Sequence, residues 1–188
     1  MHRLLSILTI AALLAGVTAC ERKADPPPPG TPESARAIYD FNERVAAYAE
    51  LRQKADDGVP RLKTTNEPAD IVAAQESLAQ RIAAARADAK RGDIFTPVIA
   101  TQFRRILRPE VKDEGTKELI REDNPGSVPF EVNAPYPERE PLSTVPPNVL
   151  ARLPELPADV EYRFVGRHLI LFDARANLVI DYIPNAIA

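Results

Sequence analysis

One cysteine, no tryptophan, two histidines and seven glycines among 188 residues remove several chemistries before any motif is read. A lone Cys20 cannot close a disulfide within the chain, so packing must supply the stability. A zinc site normally draws on several histidines and cysteines, and beyond residue 19 the chain offers only Cys20 and His168. Calcium needs an oxygen-rich loop with alternating acids. The nearest approach, Asp56-Asp57-Gly58, reads as the last turn of a helix. The glycines stand apart from one another, which leaves no glycine-rich phosphate loop. No metal and no cofactor is therefore expected. The 24 lysines and arginines are outnumbered by 27 acids, so the positive face that a nucleic-acid partner requires is missing as well.

The first residues carry an address. Met1, His2 and Arg3 make a short basic start, Leu4 to Val17 an apolar run, and Val17-Thr18-Ala19 a small-residue ending, the three-part layout of a secretory signal. The run is shorter than the ~20 residues that a helix needs to cross a bilayer core. Val17-Thr18-Ala19-Cys20 resembles the lipobox of bacterial lipoprotein precursors. That resemblance implies cleavage between Ala19 and Cys20, a diacylglyceryl group on the Cys20 sulfur, and an acylated amine. Each buried methylene adds ~0.8 kcal/mol of membrane affinity, so several chains make a lasting anchor. An ordinary secretory signal would be cut at the same bond, but it would leave a lone exposed thiol. The position after the cysteine is Glu21 rather than the aspartate that retains such lipoproteins at the inner membrane. The resemblance thus implies an exported, periplasm-facing protein held at the outer membrane. Losing Arg3 leaves 23 basic against 27 acidic residues, a net charge of about −4.

After the anchor, residues 20–33 hold four consecutive prolines and read as a semi-rigid extended tether. Residues 34–123 read as helical. Ile38, Phe41, Val45 and Tyr48 recur at helical spacing over about 34–56, with Gly58 and Pro60 beyond them as stops. Pro68 opens a second helix with the stripe Ile71, Gln75, Leu78, Ile82 and Ala85, expected to run to Gly92. The two form a helical hairpin whose stripes are each other's core, or a surface for an envelope protein partner. Thr96-Pro97 caps a third helix on Ile99, Phe103 and Ile106 that closes or kinks at Pro109. A charged fourth helix comes next over about 111–122, with Leu119 and Ile120 as anchors.

Residues 124–158 form a proline-rich extended wrap. Nine of the 33 residues from Pro125 to Pro157 are proline, which cannot donate to a sheet ladder or continue a helix. Apolar residues such as Val128, Phe130, Tyr136, Val145, Leu153 and Leu156 let the segment tie the helices to the C-terminal residues, with a short helix near 148–152. Residues 159–188 carry the strongest strand signal, a three-stranded antiparallel meander over Val160 to Val165, His168 to Phe172 and Leu178 to Ile183. The central strand is apolar on both faces and should be covered. The fold class is α+β. The run from Glu161 to Ile183 resembles the C-terminal β module of exported bacterial proteins without an assigned activity, and Gly92-Asp-Ile-Phe-Thr-Pro97 is similar to a turn in one such group. That likeness implies export and one folded unit, and no activity.

Candidates for catalysis are few. His168 would have to serve any serine–histidine–acid arrangement, with Ser34, Ser77, Ser127 or Ser143, and no serine lies in a Gly-x-Ser-x-Gly elbow. A histidine on a strand beside Leu169 is more simply a packed or edge residue. Glu114, Glu118 and Glu122 share one helical face, which ordinarily is a solvated one. Without tryptophan there is no sugar-stacking platform beside a carboxylate pair. Arg163, Arg167, His168 and Arg175, with Arg152 near, are the candidate anion-binding groups, because arginine forks fit carboxylate and phosphate. Their neighbours Glu161, Asp173 and Asp181 could equally pair with them. The expectation is a non-enzymatic, membrane-anchored binding or assembly module. An envelope-polymer hydrolase using two carboxylates, or a structural spacer, are the alternatives.

Overall fold

The computed structural model describes residues 30–57, 67–122, 124, 126, 128–137 and 139–187. The cleavage and lipidation sites at Ala19 and Cys20, most of the expected tether, and the Gly58 and Pro60 stops lie outside these residues. Among the described residues are five helices: α1 Pro32–Asp57, α2 Pro68–Ala85, α3 Pro97–Glu110, α4 Glu114–Glu122 and α5 Pro147–Leu150. Four strands, β1 Ser143–Thr144, β2 Val160–Val165, β3 His168–Asp173 and β4 Leu178–Ile183, form one antiparallel sheet in sequence order.

Proline begins four of the helices, α1, α2, α3 and α5, at a position where its missing N–H costs nothing. Thr96 precedes α3 as expected, but its side chain makes no capping bond. The α4 start is capped by Asp113, whose Oδ1 accepts the Thr116 N–H at 2.9 Å. α2 stops at Ala85, not at Gly92. The alanines beyond it favour helix, but the Nδ2 of Asn133, far along the chain, donates to the carbonyls of Ala83 and Arg86. That bond satisfies the helix end early. Asn133 itself adopts a left-handed φ of 63°.

The predicted stripes supply much of the core, but in α2 Ile71, 45% exposed, and Ala85 face solvent, while Ile38 and Gln75 are only part-buried. Phe41, Val45, Tyr48, Leu78, Ile82, Ile99 and Phe103 are buried. Leu107, one position on from Ile106, is the fully buried residue of the last α3 turn. In α4 Ile120 is buried with Thr116, whereas Leu119 points out, 54% exposed. Rings knit helices to sheet: Phe41 stacks on Phe95 at 5.6 Å, and Phe103 meets Tyr162 edge-on at 5.9 Å.

The sheet is covered on both faces by different material. Alternation sends Leu169 and Leu171 of β3 into the core they share with α1, α2 and α3. Ile170 and Phe172 point the other way and meet Val128, Phe130, Tyr136 and Leu142 of the proline-rich segment. That segment is therefore a third layer. It also runs along the edge of β4, where the Asn133 N–H donates to Val179, the Val179 N–H to Ala134 and the Tyr136 N–H to Asn177. Covered edges do not recruit further strands.

The sheet has four strands where three are predicted. Ser143 and Thr144 pair with Phe164 and Arg163. Two residues are too few to show an alternation in sequence, and Pro146 prevents a longer strand because it has no N–H to give.

A bulge gives β4 its chemistry. Leu171 pairs with Asp181 while Phe172 pairs with Val179, so Ile180 is the extra residue. Ile180 and Asp181 thus both face the helices, and alternation is reset beyond them. Without the bulge Asp181 would face the proline-rich layer.

Candidate functional site

The expected anion-binding groups do not converge. Arg167 and His168 sit at the β2–β3 turn, while Arg175 lies in the β3–β4 turn at the far end of a six-residue strand, about 17 Å along it at ~3.3 Å per residue. Arg175 bonds Asp56 of α1 at 3.0 Å. Arg163 is held by Glu161, its Nε donating at 2.8 Å. Arg152 lies 3.5 Å from Glu110. The His168 ring packs edge-on against Phe130 and Tyr182, and its Nδ1 accepts the Asn185 N–H at 3.3 Å. Burial, and then the adjacent Arg167, hold its pKa below 6.5. Ser34 and Ser143 donate to Gln102 and to the Thr144 carbonyl, and Ser127 lies outside the described residues. Glu114, Glu118 and Glu122 are all exposed on α4. Among the described residues no group of three histidine, cysteine or acidic side chains is placed to hold a metal, and no helix is long and apolar enough to cross a membrane.

Two features do bring side chains together. The first is a pocket of about 540 Å³ walled by Val145, Leu150, Leu153, Leu156, Val160 and Tyr162, with Glu155, Glu161 and Arg163 among its polar lining. Every wall residue falls within one stretch of chain, from Thr144 to Arg163. The stretch leaves the sheet where Pro146 ends β1, turns through α5, and returns as β2. Its neck is closed by the Thr144–Arg163 pairing. Its wall is pinned by the Tyr162 hydroxyl, which donates to the Pro154 carbonyl at 3.1 Å, and by the Val160 N–H, which donates to Pro157. Burial raises the Tyr162 pKa far above the usual tyrosine value, so this hydroxyl keeps its proton. The volume is in the range of ligand-binding clefts. Apolar residues within a proline-rich segment were the available signal in the sequence; their closure into a pocket depends on β1, which is too short to be read.

The second is a polar seam between helices and sheet. Asp173 and Asp181, both fully buried, face the helices. The Tyr48 hydroxyl donates to Asp173 Oδ2 at 2.6 Å and the Ala176 N–H to its Oδ1 at 2.9 Å, with Arg52 Nε 3.8 Å away. Burial, reinforced by Asp173, raises the Tyr48 pKa well beyond its ordinary range. Asp181 accepts four backbone N–H groups: Gly92 and Tyr182 at Oδ1, Ile94 and Phe95 at Oδ2, at 2.7 to 2.9 Å. The turn Gly92 to Pro97 is thus a cradle of amides around a carboxylate from β4. Gly92 takes a φ of 93° there, which other residues adopt only with strain. Neither acid pairs with the meander arginines.

No protein-family model matches the chain, and neither a curated protein nor a solved structure matches it.

Proposed function

We propose that this is an exported envelope protein, anchored through lipid on Cys20, that works as a binding module and holds an apolar segment of a partner polypeptide in the pocket of residues 144–163. The pocket is the observation that carries the reading. Its walls are mostly apolar, its frame is hydrogen-bonded, and Leu150 in the wall is 43% exposed. Four consecutive residues of β2, from Val160 to Arg163, line it. Successive strand side chains point to opposite faces, so a pocket lined by all four meets the strand at its edge. At Glu161 and Tyr162 the two-residue β1 leaves that side of β2 uncovered, which suits an extended polypeptide. The carboxylates favour binding over hydrolysis: Asp173 and Asp181 are engaged in buried bonds, the α4 glutamates face solvent, and of the two acids in the pocket lining Glu161 is bonded by Arg163 while Glu155 is exposed.

The test uses the full chain, cross-linked in envelope membranes and co-purified. A partner recovered with wild type and with Leu119→Glu, but lost with Leu150→Glu and Leu156→Glu, supports the pocket. Equal recovery with all three variants contradicts it. The anchor is read separately: Cys20→Ser should leave the membrane fraction, and the wild-type N-terminal peptide should carry the mass of acyl chains.

A further inference from the structure

The pocket of residues 144–163 carries an uneven charge. Glu155, Glu161 and Arg163 are the charged side chains in its lining. Two of them neutralise each other, since Arg163 donates to Glu161 Oε2 from both Nε and Nη2. Glu155 is exposed, and no described residue gives its carboxylate a hydrogen bond or an ion pair. Arg152, three positions before it, is instead beside Glu110, at 3.5 Å.

The lining is thus left with one negative charge, in contact with water and open to a partner. Pro154 and Leu156, its neighbours in the chain, belong to the apolar wall. An occupant seated on Leu150, Leu153 and Leu156 therefore brings its adjoining residues to this acid. An extended segment rises ~3.3 Å per residue, so a lysine or arginine close to the seated residue can reach Glu155. Its methylenes would lie on the apolar wall and its charge would stay in water. The chain's overall excess of acids, 27 against 24 lysines and arginines, favours the same sign of partner at longer range.

We propose that the segment held by this pocket is basic as well as apolar: an extended stretch with one apolar anchor and a lysine or arginine within two residues of it, the cation facing Glu155. The proposal rests on the reading of the pocket as a polypeptide site, and adds the chemistry of the partner. An ion pair in contact with water adds little affinity. It selects among partners, because the same carboxylate repels an acidic segment.

A random heptapeptide phage library, panned against the full chain in detergent, tests the pocket and its preference separately. Wild type should enrich sequences with an apolar residue and a lysine or arginine within two positions of it. One enriched sequence is then made with a fluorophore in two forms, basic residue kept or replaced by glutamate, and binding is read by anisotropy. Wild type should prefer the basic form about threefold to fivefold. Glu155→Gln should bring that ratio close to one, and Glu155→Lys should invert it; both changes are at an exposed position. Leu150→Gln, also exposed and without added charge, should weaken both forms alike. No enrichment, or binding that Leu150→Gln leaves unchanged, overturns the pocket and the proposal with it. Enriched sequences without a basic residue, or a basic preference that persists in both Glu155 variants, leave the pocket standing and overturn its basic partner.

Discussion

Replacing Asp181 should damage this protein more than any other single polar change in the sheet. The carboxylate is fully buried and satisfies four backbone N–H groups, three of them from the Gly92–Phe95 turn that brings Phe95 into the core. Asp181→Ala leaves those donors facing one another around a void. An unsatisfied buried donor costs about 1–3 kcal/mol. The Gly92 N–H is only part-buried and can recover water, and losing a buried charge returns some desolvation energy, so the net loss should be about 4 kcal/mol. In a chain of this size that lowers Tm by roughly 10–15 °C. Asp181→Asn is the sharper comparison. It keeps one acceptor oxygen but turns an NH₂ toward two N–H donors, and should cost about 2–3 kcal/mol. Urea unfolding followed by circular dichroism gives both values. Losses below about 1 kcal/mol for both variants would refute the idea that the amide cradle locks the helical layer to the sheet.

The same contacts give three other expected outcomes. Tyr48→Phe should cost about 1–2 kcal/mol, because it strips a buried bond to Asp173; a double-mutant cycle with Asp173→Asn should show coupling between them, and additivity would count against the bond. Because the pKa values of Tyr48 and Tyr162 are raised, their stabilising share is present below the unfolded value near 10 and is lost only as pH rises above it, so absorbance at 295 nm at pH 11 should fall short of five ionised tyrosines until the chain unfolds. His168 has a folded pKa below 6.5, so the unfolded chain binds the proton first. Stability from this group is full above pH 6.5 and declines as pH falls through that value. The urea midpoint should drop less between pH 7.5 and 5 in His168→Gln than in wild type, and equal drops would contradict the assignment.

The three six-residue strands were legible because their information is local. A density of β-branched, leucine and aromatic residues, broken by a two-residue turn at Gly166-Arg167, places β2 and β3 within a residue of their bounds, and Pro68 and Pro97 mark helix starts. What could not be read depends on partners distant in the chain. Asn133 ends α2 from about fifty residues away, and Asn124 clamps the Gly166 turn from 42 residues away by accepting its N–H and donating to its carbonyl. Asparagine in a proline-rich stretch looks like turn chemistry, and only the fold gives it a second role. The Asp181 cradle needed a bulge as well as a long-range meeting, since strict alternation would turn that carboxylate away from the helices. For the site, the arginines were visible as a charge cluster in sequence but are dispersed by the strand between them. The leucines of residues 150–156 gave no pattern of their own.

A photo-activatable cross-linker at position 150 of the full, lipidated chain, irradiated in the intact envelope, tests the binding role most directly. The account predicts a discrete polypeptide adduct at position 150 that is lost when Leu156→Glu is added, with none from the same group at position 119. No adduct at 150 despite a correctly anchored protein, or an equal adduct at 119, would contradict it.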